Sequence, residues 1–188
     1  MRSISLLLLL SSLSFAQTSQ MRSIDPASTL TVNVYKTGLF SFAAHNHVIS
    51  APIESGTVDL SPEHPSVKLV VDARGMKVLD PEIDADKRAE IQTTMLSTKV
   101  LDTEAHPKIE FASARVEKTG NGVWKVTGDL RLHGASHSIT FEVRELNQSY
   151  SGSAILKQTD FGITPISIAG GSVKVKDELK IEFAIKLR

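Results

Sequence analysis

Polar and apolar residues alternate along most of the second half of the chain. After Lys180, one parity carries Ile181, Phe183, Ile185 and Leu187, and the other carries Glu182, Ala184, Lys186 and Arg188. A period of two sets one face of a strand against an apolar interior and the other against water. The same alternation predicts strands over 108–118, 123–133, 137–146, 150–158 and 173–187. Nearer the N-terminus, Leu30, Val32 and Val34 alternate with Thr31, Asn33 and Tyr35. An extended stretch follows over 39–49, then short strands over 56–60 and 67–72. Gly120-Asn121-Gly122 and Gly134-Ala135-Ser136 predict tight hairpin turns, hence antiparallel neighbours. Residues 84–97 break the period. Their good helix formers, with Ile91 and Met95 four apart, predict one helix with a modest apolar stripe, capped by Asp84 or Asp86. Many strands and a single weak helix imply an all-β fold, either an antiparallel barrel or a sandwich, with the helix over part of a sheet or one opening.

The first residues change the expected location. Arg2, the leucine run 6–10 and Ser14-Phe15-Ala16 have the order of a secretory signal peptide over residues 1–16, cut before Gln17. The run is too short and too serine-rich to span a bilayer of ~30 Å, and no later stretch approaches that length. The expected product is periplasmic or secreted without a membrane span: a flexible leader over 17–23, then one domain over 24–188. The chain has no Cys, which excludes a disulfide, a thiolate metal ligand and a cysteine-borne lipid anchor. Lys plus Arg and Asp plus Glu number 21 each, scattered along the chain, so nothing points to nucleic acid as a partner.

Several short stretches, taken in order, resemble the YceI-like family of periplasmic, lipocalin-like proteins. They are Ile24-Asp25-Pro26-Ala27, Gly56-Thr57-Val58-Asp59-Leu60, Lys87-Arg88 and Ala105-His106-Pro107-Lys108-Ile109-Glu110-Phe111. The most specific is Val126-Thr127-Gly128-Asp129-Leu130-Arg131-Leu132-His133-Gly134, similar to the family's TGDLTIHG hairpin. Asp160-Phe161-Gly162-Ile163 and Asp177-Glu178-Leu179-Lys180-Ile181 complete the order. The resemblance implies an eight-stranded antiparallel barrel with one helix near an opening. It also implies an apolar or amphiphilic small-molecule partner, such as a polyisoprenoid or quinone tail. The chain departs from the family at residues 28–36, where a common HSSVEFSVKH start is replaced, and at 91–95, where many relatives carry a charged run.

The inward parity assigns Val32, Val34, Phe40, Phe42, Leu69, Val71, Phe111, Val126, Leu130, Leu132, Ile139, Phe141, Ile181 and Phe183 to the interior, with Met95 from the helix. Phe161 is expected to plug or line the barrel, with Gly162 permitting a sharp bend. Eight strands is the number at which side chains either fill a barrel or leave room for one ligand. The family resemblance implies a bound polyisoprenoid or lipid as the ligand, and no cofactor is required.

The sharpest polar feature is His45-Asn46-His47. Two histidines at i and i+2 on a strand share a face, as zinc ligands can, and His133 or His137 could complete a site. Parity places Phe40, Phe42 and Val48 on one face and both histidines on the other, unless a bulge intervenes near Ala43-Ala44. The expected reading is a surface pair bonded to backbone. By its resemblance to the family's turn histidine, His133 is expected to bond turn carbonyls beside Gly134. His64 and His106 are expected to be solvated. Asp80, Glu82, Asp84 and Asp86 read as capping and surface charge. No nucleophile elbow, phosphate loop or nucleotide fingerprint occurs, so the chain reads as a non-enzymatic binding protein. Two alternatives stay open: a histidine-dependent metal or redox accessory protein, and a structural or stress-related protein with a filled core.

Overall fold

The computed structural model describes residues 20–37, 46–168 and 173–188. Its strands are β1 (Met21–Ser23), β2 (Thr29–Thr37), β3 (His47–Ser50), β4 (Ile53–Asp59), β5 (Ser66–Asp72) and β6 (Lys77–Val78). The helix α1 (Ala85–Leu96) follows, then β7 (Lys108–Gly120), β8 (Val123–Leu132), β9 (Ala135–Leu146), β10 (Ser149–Lys157), β11 (Ser167–Ile168) and β12 (Val173–Lys186).

One antiparallel sheet runs β1-β4-β5-β7-β8-β9-β10-β12-β2-β3-β6, with β11 beside β12. It curls until its β1 edge reaches the end of β12. Ile24, just after β1, bridges Leu187, just after β12. The Asp25 N–H donates to the Lys186 carbonyl at 2.8 Å and the Arg188 N–H to the Ser23 carbonyl at 2.9 Å. An all-β antiparallel barrel with one helix is thus what the chain forms.

Among the described residues the sheet has twelve strands, not the eight expected. Proline explains part of the difference, because it has no N–H for a ladder. Pro26 lies between β1 and β2, which both pair along the β12 side, and Pro52 lies between β3 and β4. Each pair is one long kinked run. β6 and β11 are two-residue additions beside β3 and β12.

Two local expectations also shift. The β8–β9 turn is His133-Gly134, with φ of 51° and 78°, and Ala135 already belongs to β9. Positive φ at both central residues is the type I′ pattern, whose twist suits a hairpin. Asn147-Gln148 repeats it between β9 and β10, with φ of 51° and 62°. Residues 21–23 form β1 instead of a flexible leader, paired with Thr57, Val58 and Asp59.

The helix is held by polar contacts more than by its apolar stripe. Asp84, not Asp86, caps it, accepting from the Lys87 N–H at 2.8 Å. The Gln92 side chain donates to the Met76 carbonyl and accepts from the Val78 N–H, both at 2.8 Å. Arg88 donates to the carbonyls of Asp80 and Ile83. These bonds fasten α1 to β6 and to the segments on either side of it, and through β3 to the end of the barrel where β2 stops and β12 starts. Met95 then drops into the core.

Candidate functional site

The barrel is not filled. A cavity of about 1050 Å³ runs through it. Of the residues expected inside, Val32, Val34, Leu69, Val71, Met95 and Phe111 line it, as do Val126, Leu130, Leu132, Ile139, Phe141, Ile181 and Phe183. Their common cause is strand parity. On β9, Ile139, Phe141 and Val143 face in while Thr140, Glu142 and Arg144 are exposed. Phe141 sits in a row of rings, its centroid 5.5 Å from Phe111 and 5.6 Å from Phe183. Two glycines make room for that row. At Gly128 a Cβ would lie 2.7 Å from the Phe111 ring, and at Gly152 2.7 Å from the Phe183 ring.

Phe40, Phe42 and His45 lie outside the described residues. Phe161, expected to plug or line the barrel, is buried near the α1 end. It is only 2 % exposed and belongs to the buried core cluster, its ring against His137 at 5.3 Å, but it does not line the cavity itself. Its carbonyl accepts from His133 Nδ1 at 3.1 Å, so His133 bonds across to this segment and not to its own turn. Gly162 supplies the expected bend, with φ of 72°. His106 is not merely solvated: it meets the His133 ring edge-on at 5.1 Å, over Gly134.

The parity assigned to His47 is reversed. Val48 is exposed on β3, whereas Ile49 is buried and His47 lines the cavity. The sequence count was anchored on Phe40 and Phe42, which lie outside the described residues. His47 also has a partner that the sequence did not indicate. Its Nδ1–H donates to Asp80 at 2.6 Å, and the other Asp80 oxygen accepts from the Val48 N–H at 2.8 Å. Asp80, at 2 % exposure, therefore ties β3 to the loop before α1 and is not surface charge. His137 is exposed on β9. Among the described residues, no three His, Asp or Glu side chains gather as metal ligands would.

Both ends of the cavity are polar, which sequence reasoning did not bring out. At the end opposite α1, Glu145 accepts from Trp124 Nε1 at 3.0 Å and from the Tyr150 hydroxyl at 3.5 Å, and Lys118 Nζ lies 5.5 Å from the Trp124 ring. Burial, then the Glu145 charge, pushes the Tyr150 phenol pKa above its usual value. Extending the inward parity of β8 and β9 by one step finds Trp124 and Glu145. Met76 and Leu101 come from irregular segments, where no period could point to them.

An apolar bore with polar ends can hold an elongated amphiphile without catalytic groups. Comparison with known proteins agrees on the architecture. The family model described as YceI-like domain matches residues 23–187. A UPF0312 protein of Vibrio parahaemolyticus is 30% identical over 125 residues, covering 61% of this chain and 65% of that protein. A UPF0312 protein of Pseudomonas putida is 27% identical over 106 residues, covering 51% of this chain and 52% of that one. The chain thus spans between half and just under two thirds of the length of these curated relatives. In fold it is similar to BcnA of Burkholderia cenocepacia, with TM-score 0.62 and 17% identity over 86% of this chain and 98% of that one. It is also similar to the YCEI protein of Campylobacter jejuni, with TM-score 0.53 and 15% identity over 74% and 81% of the two chains.

Proposed function

The chain belongs to the YceI-like domain family, and from that premise we propose that it is an exported, non-enzymatic carrier of one apolar or amphiphilic chain. A polyisoprenoid or a quinone tail is the kind of ligand meant. The observation that carries this reading is the cavity of about 1050 Å³ walled by aliphatic and phenyl side chains. That volume lies at the upper end of ordinary ligand pockets, about 300–1,000 Å³. It speaks against a barrel whose core is filled and which serves only as a scaffold. Burying a sixteen-carbon tail would contribute roughly 13 kcal/mol gross, at about 0.8 kcal/mol for each methylene. Association and ordering cost about 4–15 kcal/mol; at the low end of that cost about 9 kcal/mol remains, enough for micromolar binding. No cofactor is needed for this work. Periplasmic export rests on Arg2, the leucine run and Ser14-Phe15-Ala16.

Titration with a fluorescent fatty-acyl or isoprenoid probe tests the carrier reading. Saturable binding of one probe to each chain is expected, and a barrel that takes up none refutes it. N-terminal sequencing of the protein from its native host tests export, with Gln17 expected first. An intact Met1 on cytosolic protein contradicts it.

A further inference from the structure

The cavity carries a charge gradient along its axis. Among the described residues, its wall at the α1 end includes Lys36, Lys87, Lys99 and Lys174, against one carboxylate, Glu90. Lys87 pairs with Glu90 at 3.0 Å, which leaves that end net positive. His47 lies there too, its ring bonded to the buried Asp80. At the far end the charged wall residues are Asp59, Glu145 and Lys118, a net negative set. Lys36 is informative because of its parity. It follows Leu30, Val32 and Val34 on the inward face of β2, where every other member is apolar, and it is half-buried. The neighbouring strand brings Lys174 beside it: Val175 pairs with Lys36 and Lys174 with Thr37. Lys99, Lys87 and Lys174 are exposed and yet line the cavity, so the bore reaches water at this mouth.

Resting on the carrier reading, we propose that the ligand is an anionic amphiphile whose carboxylate or phosphate head sits among the lysines of the α1 mouth. The tail then runs down the apolar bore toward Glu145. The gradient sets this polarity, because an anionic head at the far end would face Asp59 and Glu145. Ammonium groups bind either head as point charges, so carboxylate and phosphate are not separated by geometry here.

Matched acid and alcohol pairs test this. Hexadecanoate is compared with hexadecanol, and farnesyl phosphate with farnesol, by displacement of a neutral fluorescent lipid. A solvent-reaching ion pair is worth a factor of about two to five, so two or three lysines should favour the anion by roughly tenfold. Preference in only one pair identifies the head as carboxylate or phosphate. In K36Q/K99Q/K174Q the preference should fall to within about twofold while the alcohols still bind. Lys125→Gln, outward on β8, should leave it intact. Equal binding of anion and alcohol by the wild type overturns this inference and spares the carrier reading. Binding of neither overturns both. A preference that survives the triple change places the head elsewhere and also overturns it. Should the triple variant not fold, wild-type protein decides: the preference must shrink between low salt and about 1 M salt, and one indifferent to salt refutes the proposal.

Discussion

Phe141→Glu tests the apolar wall at its centre. Phe141 faces the bore midway along β9, between the rings of Phe111 and Phe183. Losing two ring contacts of about 0.5–1.5 kcal/mol each removes roughly 1–3 kcal/mol of stability. Because the ring is only half-buried, the full cost of deleting a core phenyl, about 3–5 kcal/mol, is an upper bound. The carboxyl adds a pH dependence of definite sign. An apolar wall disfavours the charged form, so the folded pKa of the new group rises above its unfolded value of about 4.3. Its contribution is least unfavourable below the unfolded pKa, and the variant loses stability, relative to wild type, as pH rises through the folded pKa. The assays are urea unfolding at about pH 4.5 and pH 8 and retention of a fluorescent acyl probe. Lower stability, a larger deficit at the higher pH, and lost probe binding at pH 8 are expected. Glu142→Gln, outward on the same strand, is the control and should alter neither. A Phe141→Glu protein that binds the probe like wild type at pH 8 would refute the placement of the ligand.

Other parts of the structure give further expectations. Gly152→Val sets a Cβ 2.4 Å from the Glu142 carbonyl oxygen and 2.7 Å from the Phe183 ring; overpacking of that kind costs about 1–3 kcal/mol, read as a lower urea midpoint, and no change would show that the strands spread freely. Gln92→Leu removes both bonds that tie α1 to Met76 and to Val78 of β6; hydrogen exchange should speed up in α1 before it does in β7–β9, and uniform exchange would show that the helix is held by other contacts. Asp177 accepts from the Thr159 backbone N–H at 2.9 Å and from its hydroxyl at 2.7 Å, with the backbone bond the larger cause of a carboxyl pKa below the ordinary value. That lowered pKa gives stability that is complete above the unfolded pKa of about 3.9 and lost as pH falls through the folded one; Asp177→Asn should flatten the acid limb of stability against pH, and an unaltered acid limb would remove Asp177 from it.

The bore was legible because parity is a strong constraint. A one-residue slip would turn every wall residue of a strand to water, so the alternation from Ile139 to Val143 or from Ile181 to Ile185 points inward without ambiguity. Where regular structure stops, the same counting fails. Parity counted from Phe40 and Phe42 puts Val48 inside and His47 outside, the reverse of what β3 shows. The Asp80 contact to His47 spans 33 positions and follows no period, so no local pattern could announce it. Phe161 read as a plug because it is large and apolar, but that a turn of 3-10 helix over Gln158–Phe161 would set its ring against His137 could not be read from any period. The excess of strands was half visible: Pro26 and Pro52 mark the kinks in sequence, but that a kinked run still pairs along its whole length is a property of the closed sheet.

The central claim is that the barrel encloses a lipid-like chain. Native mass spectrometry of protein purified from its own host, followed by organic extraction and analysis of the extract, tests it most directly. The expected result is a mass above that of the chain, by one ligand for each protein, which disappears on extraction and yields a single-chain apolar or amphiphilic molecule. Protein that flies only at the mass of the bare chain, gives no lipid on extraction and takes up none when offered would contradict the account.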